Sequence, residues 1–257
     1  MLIVVSLRCT QLCCAQLCSA QLAVGAHSAL QLPQMRIAIF SDLHDNLDAF
    51  HAVLMDATRQ QAERLIYLGD VGHNLLLFAE LQKRQIPSVY GNWEVSGLSR
   101  LPGDIHQWVA SWPATIQDEN AIYAHATPDM PASAATTAAA AAYIRSGVGR
   151  IDLFPRLNSN EEARWRAFAA LEEQNLRVAF HGHTHVQQIW AWETNASGER
   201  RVRQLNESTA FSLQPGPPTA PNRYLIGVGS AGLPNDGPVG RYVIYDQARQ
   251  EILLRTL

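Results

Sequence analysis

Cysteine is absent after residue 18. All four cysteines, Cys9, Cys13, Cys14 and Cys18, fall within the first 34 residues, so the rest of the chain offers neither a disulfide framework nor a cysteine-ligated zinc site. Runs of lysine and arginine are also lacking, and the net charge is -3. A protein that tracks long nucleic acid normally carries a basic stripe, so a polynucleotide is not the expected partner. Nor is there a long apolar run: Gln11, Gln16 and Gln21 interrupt the apolar N-terminal stretch, whereas a membrane span needs about 20 predominantly apolar residues. That stretch lacks the charged start of a secretory signal, and its Cys-x₃-Cys-Cys-x₃-Cys spacing lacks the second half of a zinc site. Met35-Arg36 leads straight into the first strand-like run. Residues 1–34 are therefore expected to be a non-native or disordered extension, and residues 35–257 a single domain of a cytoplasmic protein. With 47% hydrophobic and 17% charged residues, the chain is long enough for one layered core.

What is present is a series of polar motifs, each at or near the end of a short apolar run. In chain order they are Asp42-x-His44, Gly69-Asp70, Gly91-Asn92, His125 and Gly182-His183-Thr184-His185. Taken singly they are weak, since a solvated strand end or a polar turn explains each. Together they form the ligand list of a two-metal hydrolytic site. Two divalent ions about 3.5–4 Å apart can share a bridging water, lower its pKa and clamp the attacking and leaving oxygens of a phosphoryl transfer. Such a pair needs a bridging carboxylate, which suits Asp70, a second carboxylate in Asp42, imidazoles from His44, His125, His183 and His185, and a neutral amide oxygen from Asn92. In an extended segment side chains alternate, so Asp42 and His44 are expected on one face, as are His183 and His185, each pair gripping one metal. Mn²⁺ is the expected ion, with Fe, Zn²⁺, Co²⁺ or Ni²⁺ as alternatives for mixed nitrogen and oxygen ligands.

These motifs resemble those of the calcineurin-like metallophosphoesterases, whose pattern is D-x-H, G-D, G-N-H-[DE], H and G-H-x-H. The resemblance is closest to a small prokaryotic phosphodiesterase-like branch, on Met35–Asn46, Tyr67–Val71 and the late Gly229–Gly237 followed by Tyr242. It implies a four-layer α/β (α+β) sandwich, two mixed β-sheets flanked by helices, with metals at strand C-terminal ends. It also implies hydrolysis of phosphodiesters, and of phosphomonoesters as a secondary activity, by a metal-bridged hydroxide, with Asp70, Asn92 and His125 as the catalytic centre. Where the pattern places a histidine after Gly-Asn, this chain has Trp93 and then Glu94. A missing general acid costs roughly 10²–10⁴-fold, chiefly on poor leaving groups. Trp93 is a candidate to stack on an aromatic base or leaving group, or else packs under a loop; Glu94 either orients a histidine ligand or lies at the surface. The rival readings are a protein phosphatase or dinucleoside polyphosphate hydrolase of the same fold, and a metal-holding binding scaffold. A small phosphate ester is the expected partner, and a homodimer is one arrangement left open.

Around the motifs, Asn46 is expected to cap a helix and Asp45 to sit behind the ligands. His73 is a candidate phosphate contact or an exposed loop histidine, and His181 should point away from the metals because Gly182 turns the chain. The resemblance places Gly229 and Ser230 beside the substrate. Periodicity predicts strands at 36–41, 64–68, 87–90, 121–125, 177–181, 186–192, 223–228, 241–246 and 251–255, and helices near 46–61, 74–85 and 160–175. The alanine-rich stretch 133–142 predicts a small helical cap within 128–175, with Tyr143 and Arg145 as candidate substrate contacts or as parts of a plain surface helix. Residues 195–222 read as a hairpin end and loop, in which Arg200, Arg201 and Arg203 look solvated.

Overall fold

The computed structural model describes residues 35–147, 149–195, 197–207 and 209–257; the expectation for residues 1–34 lies outside them. The first half runs β1 (Arg36–Phe40), α1 (Leu47–Arg59), β2 (Arg64–Tyr67), α2 (Leu75–Lys83), α3 (Asn92–Gly97), a 3₁₀ turn (Leu98–Arg100), α4 (Gly103–Ala110), β3 (Thr115–Gln117) and β4 (Ala121–Ala124). After a second 3₁₀ turn (Ala132–Ala134) come α5 (Thr137–Arg145), α6 (Arg150–Leu153), α7 (Glu161–Glu173) and β5 (Val178–His181). The chain ends with β6 (Gln187–Thr194), β7 (Arg200–Leu205), β8 (Ala210–Ser212), β9 (Arg223–Val228), β10 (Arg241–Asp246) and β11 (Glu251–Thr256). No helix among the described residues is long and apolar enough to cross a membrane.

The strands form two mixed sheets, ordered β2-β1-β10-β11-β8 and β3-β4-β5-β9-β6-β7. Alternation along each strand builds the layers. In β1, Ile37 and Ile39 face the other sheet and pack with Val178, Phe180, Ile226 and Val243, while Ala38 and Phe40 face outward onto Phe50 and Val53 of α1 and Phe78 of α2. On the far side of the second sheet, Ile122, Ala179 and Leu225 pack against Phe168 and Leu171 of α7. The result is four layers: helices, sheet, sheet, helix. Each large apolar side chain removed from water contributes about 1.5–3 kcal/mol. Helices α1 and α2 start from asparagine caps: Asn46 Oδ1 accepts from Ala49 N at 2.9 Å, and Asn74 Oδ1 from Leu76 N at 3.0 Å.

Four expectations change. Residues 87–90 form a single parallel bridge, Tyr67↔Ser88, and not a strand; Pro87 has no N–H to donate, and the chain turns into α3 two residues after Tyr90. The stretch 200–205 is a strand, β7, paired antiparallel with β6 along its length. Its arginines are not simply solvated: Arg200 lies over the Trp192 ring at 4.3 Å and binds Glu172 at 2.8 Å, while Arg203 grips both oxygens of Glu193. The alanine-rich helix begins at Thr137, capped by Thr136, and buries Thr137, Ala140 and Ala141 in the core. Helix α4, between Pro102 and Pro113, has no counterpart in the expected elements.

Candidate metal centre

The motif residues gather where strands end. Asp42 and His44 follow β1, Asp70 follows β2, His125 follows β4, and His183 and His185 follow β5; carboxyl ends of parallel strands are the usual ligand-binding edge of such sheets. The backbone there is not extended. Asp42 (φ 55°), His44 (φ 43°), Asp45 (φ 68°), Asp70 (φ 64°), His183 (φ 61°) and His185 (φ 58°) are all left-handed, a region that Asp and His enter more readily than most residues. Alternation along a strand is therefore not what sets these side chains. Each such residue costs on the order of 1 kcal/mol or more unless its surroundings hold it. Here they do: Asp42 N donates to Gly69 O, His44 N to Asp70 O, Asp45 N to Val71 O and Gly182 N to His125 O. Gly91 and Gly182 are glycines of necessity, because a Cβ at the first would meet Asp70 Oδ1 and at the second Ser41 Oγ and Asp42 Oδ2.

Six of the seven expected ligands form two triads, Asp42/His44/His185 and Asp70/His125/His183, in each of which one oxygen or nitrogen per residue lies within 4.8 Å of the others. The pairing corrects the expectation for Gly182–His185: His183 joins one triad and His185 the other, since the left-handed turns aim the two imidazoles apart. Asp70 Oδ2 lies between the triads, 3.9 Å from His44 Nε2 and 3.5 Å from His125 Nε2. Asn92 completes the second group, its Oδ1 3.2 Å from His125 Nε2.

The donor set fits a pair of cations. His125 Nδ1 donates to Leu68 O at 2.7 Å and His185 Nδ1 to Leu233 O at 2.6 Å. A neutral imidazole that donates through Nδ1 presents a bare Nε2, the usual way a second group fixes a metal-binding tautomer. His185 Nε2 then faces His44 Nε2 at 3.1 Å and Asp42 Oδ1 at 3.1 Å. That Asp42 oxygen is buried without an aligned hydrogen bond, as is His44 Nδ1. Lone pairs converge in both triads, and a divalent ion is the partner that satisfies them.

The electrostatics of the two triads differ. Burial pushes the Asp42 carboxyl up, but His185 and His44 beside it hold it well below the usual carboxylate range. Burial likewise opposes charge on His185, and the Asp42 carboxylate outweighs it and raises the imidazole. In the second triad, burial drives Asp70 well above the usual range, helped by the carboxylates of Glu94 and Asp42. Burial also lowers His125, and lowers His183 to about 3.

The surrounding residues divide by what they touch. Glu94 is buried and orients no histidine; its carboxylate accepts from Asp70 N at 2.9 Å, Val71 N at 2.8 Å and Gly91 N at 2.7 Å, tying two ligand loops together. Ser230 is fully buried, and its Oγ donates to Asp42 O and accepts from Leu233 N, both at 2.7 Å, so it braces a ligand loop and does not face substrate. A Cβ at Gly229 (φ 80°) would meet Arg241 and Gln187, neither of them a ligand candidate. Asp45 Oδ1 accepts from His73 N and Asn74 N, holding the loop after β2. Trp93 is 36% exposed and meets the His44 and His73 rings at centroid distances of 5.2 and 4.9 Å. His73 is exposed and contacts Trp93 and Asp45, with no ligand triad around it. His181 is buried, held through Nδ1 to Gly182 O, and belongs to neither triad.

Two residues of the site carry no sequence motif. Phe154 packs against His125 and His183, at 5.9 and 6.1 Å between centroids. Arg156 Nη2 donates to Thr184 O at 3.1 Å, which sets a permanent cation close enough to oppose protonation of His183 and, more weakly than Asp42 favours it, of His185. Within 128–175 this is the stretch that approaches the triads. Tyr143 packs against the core, and Arg145 lines a separate cleft with His106.

Residues 35–248 match the model of the calcineurin-like phosphoesterase superfamily domain. The chain belongs to that superfamily, whose members typically bind two divalent metals. It is similar in fold to a metallophosphoesterase from Sphaerobacter thermophilus, with 22% identity, a TM-score of 0.62, and 87% of this chain and 88% of that one covered. More distant matches are an archaeal phosphodiesterase, at 18% identity and TM-score 0.44 over 87% and 100% of the two chains, and the E. coli phosphoesterase YfcE, at 16% identity and TM-score 0.42 over 87% and 98%. No curated protein matches the chain.

Proposed function

We propose that the protein is a metal-dependent phosphodiesterase acting on small phosphate diesters, in keeping with the phosphodiesterase-like branch that its motifs resemble. The observation that carries this reading is Asp70 Oδ2 between the two triads, the placement a bridging carboxylate needs and a single-ion site does not. Asp42, His44 and His185 are the residues to hold one ion, and Asn92, His125 and His183 the other, with Asp70 shared. When bound, two divalent ions supply Lewis acidity that lowers the pKa of a shared water and neutralises charge on the transferring phosphoryl group. Mn²⁺ leads the candidate ions on the mixed nitrogen and oxygen ligands.

The chain's own contribution is placement and charge. The Nδ1 bonds of His125 and His185 keep their Nε2 atoms aimed inward, and the Asn92 amide adds a donor oxygen without adding negative charge. Arg156 adds a fixed positive charge at the GHTH loop, where an anionic substrate gains from it. Trp93 occupies the position of the family's histidine, and so no imidazole stands there to protonate a basic leaving group. That favours diesters with good leaving groups over monoesters that need an acid. A small substrate also suits a chain without a basic stripe.

The test is hydrolysis of bis-p-nitrophenyl phosphate and p-nitrophenyl phosphate by the full chain with Mn²⁺, with chelator, and with the Asp70→Asn variant. The expected result is chelator-sensitive turnover that favours the diester and disappears in the variant. Turnover of neither ester by protein shown to hold metal would overturn the reading in favour of a metal-holding binding scaffold.

A further inference from the structure

Beside the metal centre lies a cavity of about 200 Å³ between α2, α3 and the 3₁₀ turn at Leu98–Arg100. Its walls are apolar and aromatic, from Leu75, Phe78, Leu101 and Trp93, and its polar groups include His73 and Arg100. Trp93 joins the cavity to the metal centre: its ring meets both His44, a metal-ligand candidate, and His73 of the cavity. Both contacts are at 72° between ring planes, so neither imidazole stacks flat on the indole. Trp93 and Leu75 are 36% and 45% exposed, an unusual cost for large apolar groups that line a concave surface next to a reactive centre.

We infer that this cavity seats the planar heteroaromatic ring of the substrate, which makes the preferred substrate a phosphodiester bearing a single nucleobase. The inference rests on the phosphodiesterase reading and names its substrate class. Three features select the ring. The volume is below the roughly 300–1,000 Å³ of sites for drug-sized ligands, so one ring system fits and a second nucleoside does not. The indole offers a stacking surface, a sequence-tolerant contact because every base has a π-face. Arg100, exposed at the rim, offers hydrogen-bond donors that suit the carbonyl oxygens and ring nitrogens of a base and give nothing to an alkyl chain. A metal pair held by the two triads would take the phosphoryl group, and the cavity would then sort diesters by the group they carry beside it.

Two diesters with the same leaving group separate this from the chemistry: thymidine 5′-(p-nitrophenyl phosphate) and methyl p-nitrophenyl phosphate, assayed on the full chain with Mn²⁺. The ratio of their kcat/KM values is expected to favour the nucleoside by about tenfold or more, and Trp93→Leu to lower that ratio by about 5- to 100-fold, mainly through KM. Arg100→Gln should lower it less. A wild-type ratio near one overturns the cavity assignment while leaving the phosphodiesterase reading in place. Parallel loss of both activities in Trp93→Leu, with the ratio unchanged, also overturns it, because Trp93 then serves the metal centre alone. If neither diester is turned over, the phosphodiesterase reading fails, and calorimetric titration with thymidine 5′-monophosphate in chelator decides the cavity separately. Binding that Trp93→Leu abolishes supports it, and no binding overturns it.

Discussion

The two triads have the same residue types and opposite electrostatic habits. In Asp42/His44/His185 the carboxyl is held low and His185 is raised, because each lies beside a group that favours its charged form. In Asp70/His125/His183 the carboxyl is driven up and the imidazoles down, because burial dominates and Glu94 adds a second negative charge nearby. The difference follows from partners and not from depth: the side chains of Asp42 and Asp70 are both buried, at 0% and 2% exposed, but Asp42 has the His185 and His44 imidazoles beside it, whereas Asp70 has the carboxylates of Glu94 and Asp42. A buried carboxylate without a counter-ion is costly, so the second triad has the stronger demand for a cation. Glu94 is part of that arrangement: it holds the loops in place and raises the demand at the same time.

The largest expected effect comes from removing the residue that both triads share. Asp70→Asn should drop diester hydrolysis to below about one-thousandth, since several kcal/mol of transition-state stabilisation go with the metal pair, and elemental analysis should find both ions reduced. The same variant should melt higher than the wild type when both are assayed with chelator above pH 7. Asn keeps an oxygen for Trp93 N, removes the disfavoured charge, and turns an N–H toward the bare Nε2 of His125. A variant that melts lower under those conditions would contradict the electrostatic contrast.

Next is Glu94→Gln. The carboxylate accepts three backbone N–H groups, whereas an amide offers one acceptor oxygen and turns its own N–H₂ toward a donor. Metal affinity should weaken by about 10–100-fold, and stability should fall by about 1–3 kcal/mol. Competition with a metal indicator and urea unfolding measure the two separately. Affinity unchanged at the second triad would show that its loops hold without Glu94.

Acidity sharpens the contrast with a smaller effect. His185 and Asp70 are both raised, so in chelator they give stability that is lost as pH rises: Asp70 from about 3.9 upward, His185 from about 6.5 upward. His125, His183 and His181 are lowered, the last two to about 3 and about 4. Their neutral folded forms cost stability as pH falls below about 6.5, where the unfolded chain takes up protons. Above pH 6.5 only the raised groups still act. The chelated protein should therefore lose a few degrees of melting temperature between pH 7 and 8.5. With Mn²⁺ the slope should flatten or reverse, because metal binding releases those protons. A melting temperature that falls equally in both conditions would mean that the titrating groups lie outside the triads.

Much of this was legible in the sequence where chemistry dictates residue type. Carboxylates, imidazoles and one amide at the ends of apolar runs mark a metal pair whatever the local backbone does. The assignment of His183 and His185 to different triads was not legible, because left-handed φ values replace the alternation that a strand would impose. Strand β7 hid behind Arg200, Arg201 and Arg203, since an edge strand tolerates charge on the face it turns to solvent. Strands β3 and β8, at three residues each, are too short for a period to register. Arg156 and Phe154 belong to no spacing pattern. They reach the site only through the fold, which lays the stretch after α6 against the GHTH loop.

The smallest effect distinguishes two roles for Ser230. A substrate contact would show itself in KM. The structure places its hydroxyl, fully buried, between Asp42 O and Leu233 N, and Leu233 O in turn receives His185 Nδ1. Ser230 thus fixes both the backbone of one first-triad ligand and the carbonyl that sets the tautomer of another. Ser230→Ala leaves Asp42 O with only its bond from Gly232 N and removes the hydroxyl partner of Leu233 N, at a cost of about 0.5–1.5 kcal/mol, and should weaken metal binding at the first triad by less than about tenfold while KM for the diester, measured at saturating Mn²⁺, stays the same. The second triad has no contact with this hydroxyl and should keep its affinity, so a two-site metal titration should show one class of site shifting and the other fixed. Raised KM with both classes unchanged would put Ser230 on the substrate side after all.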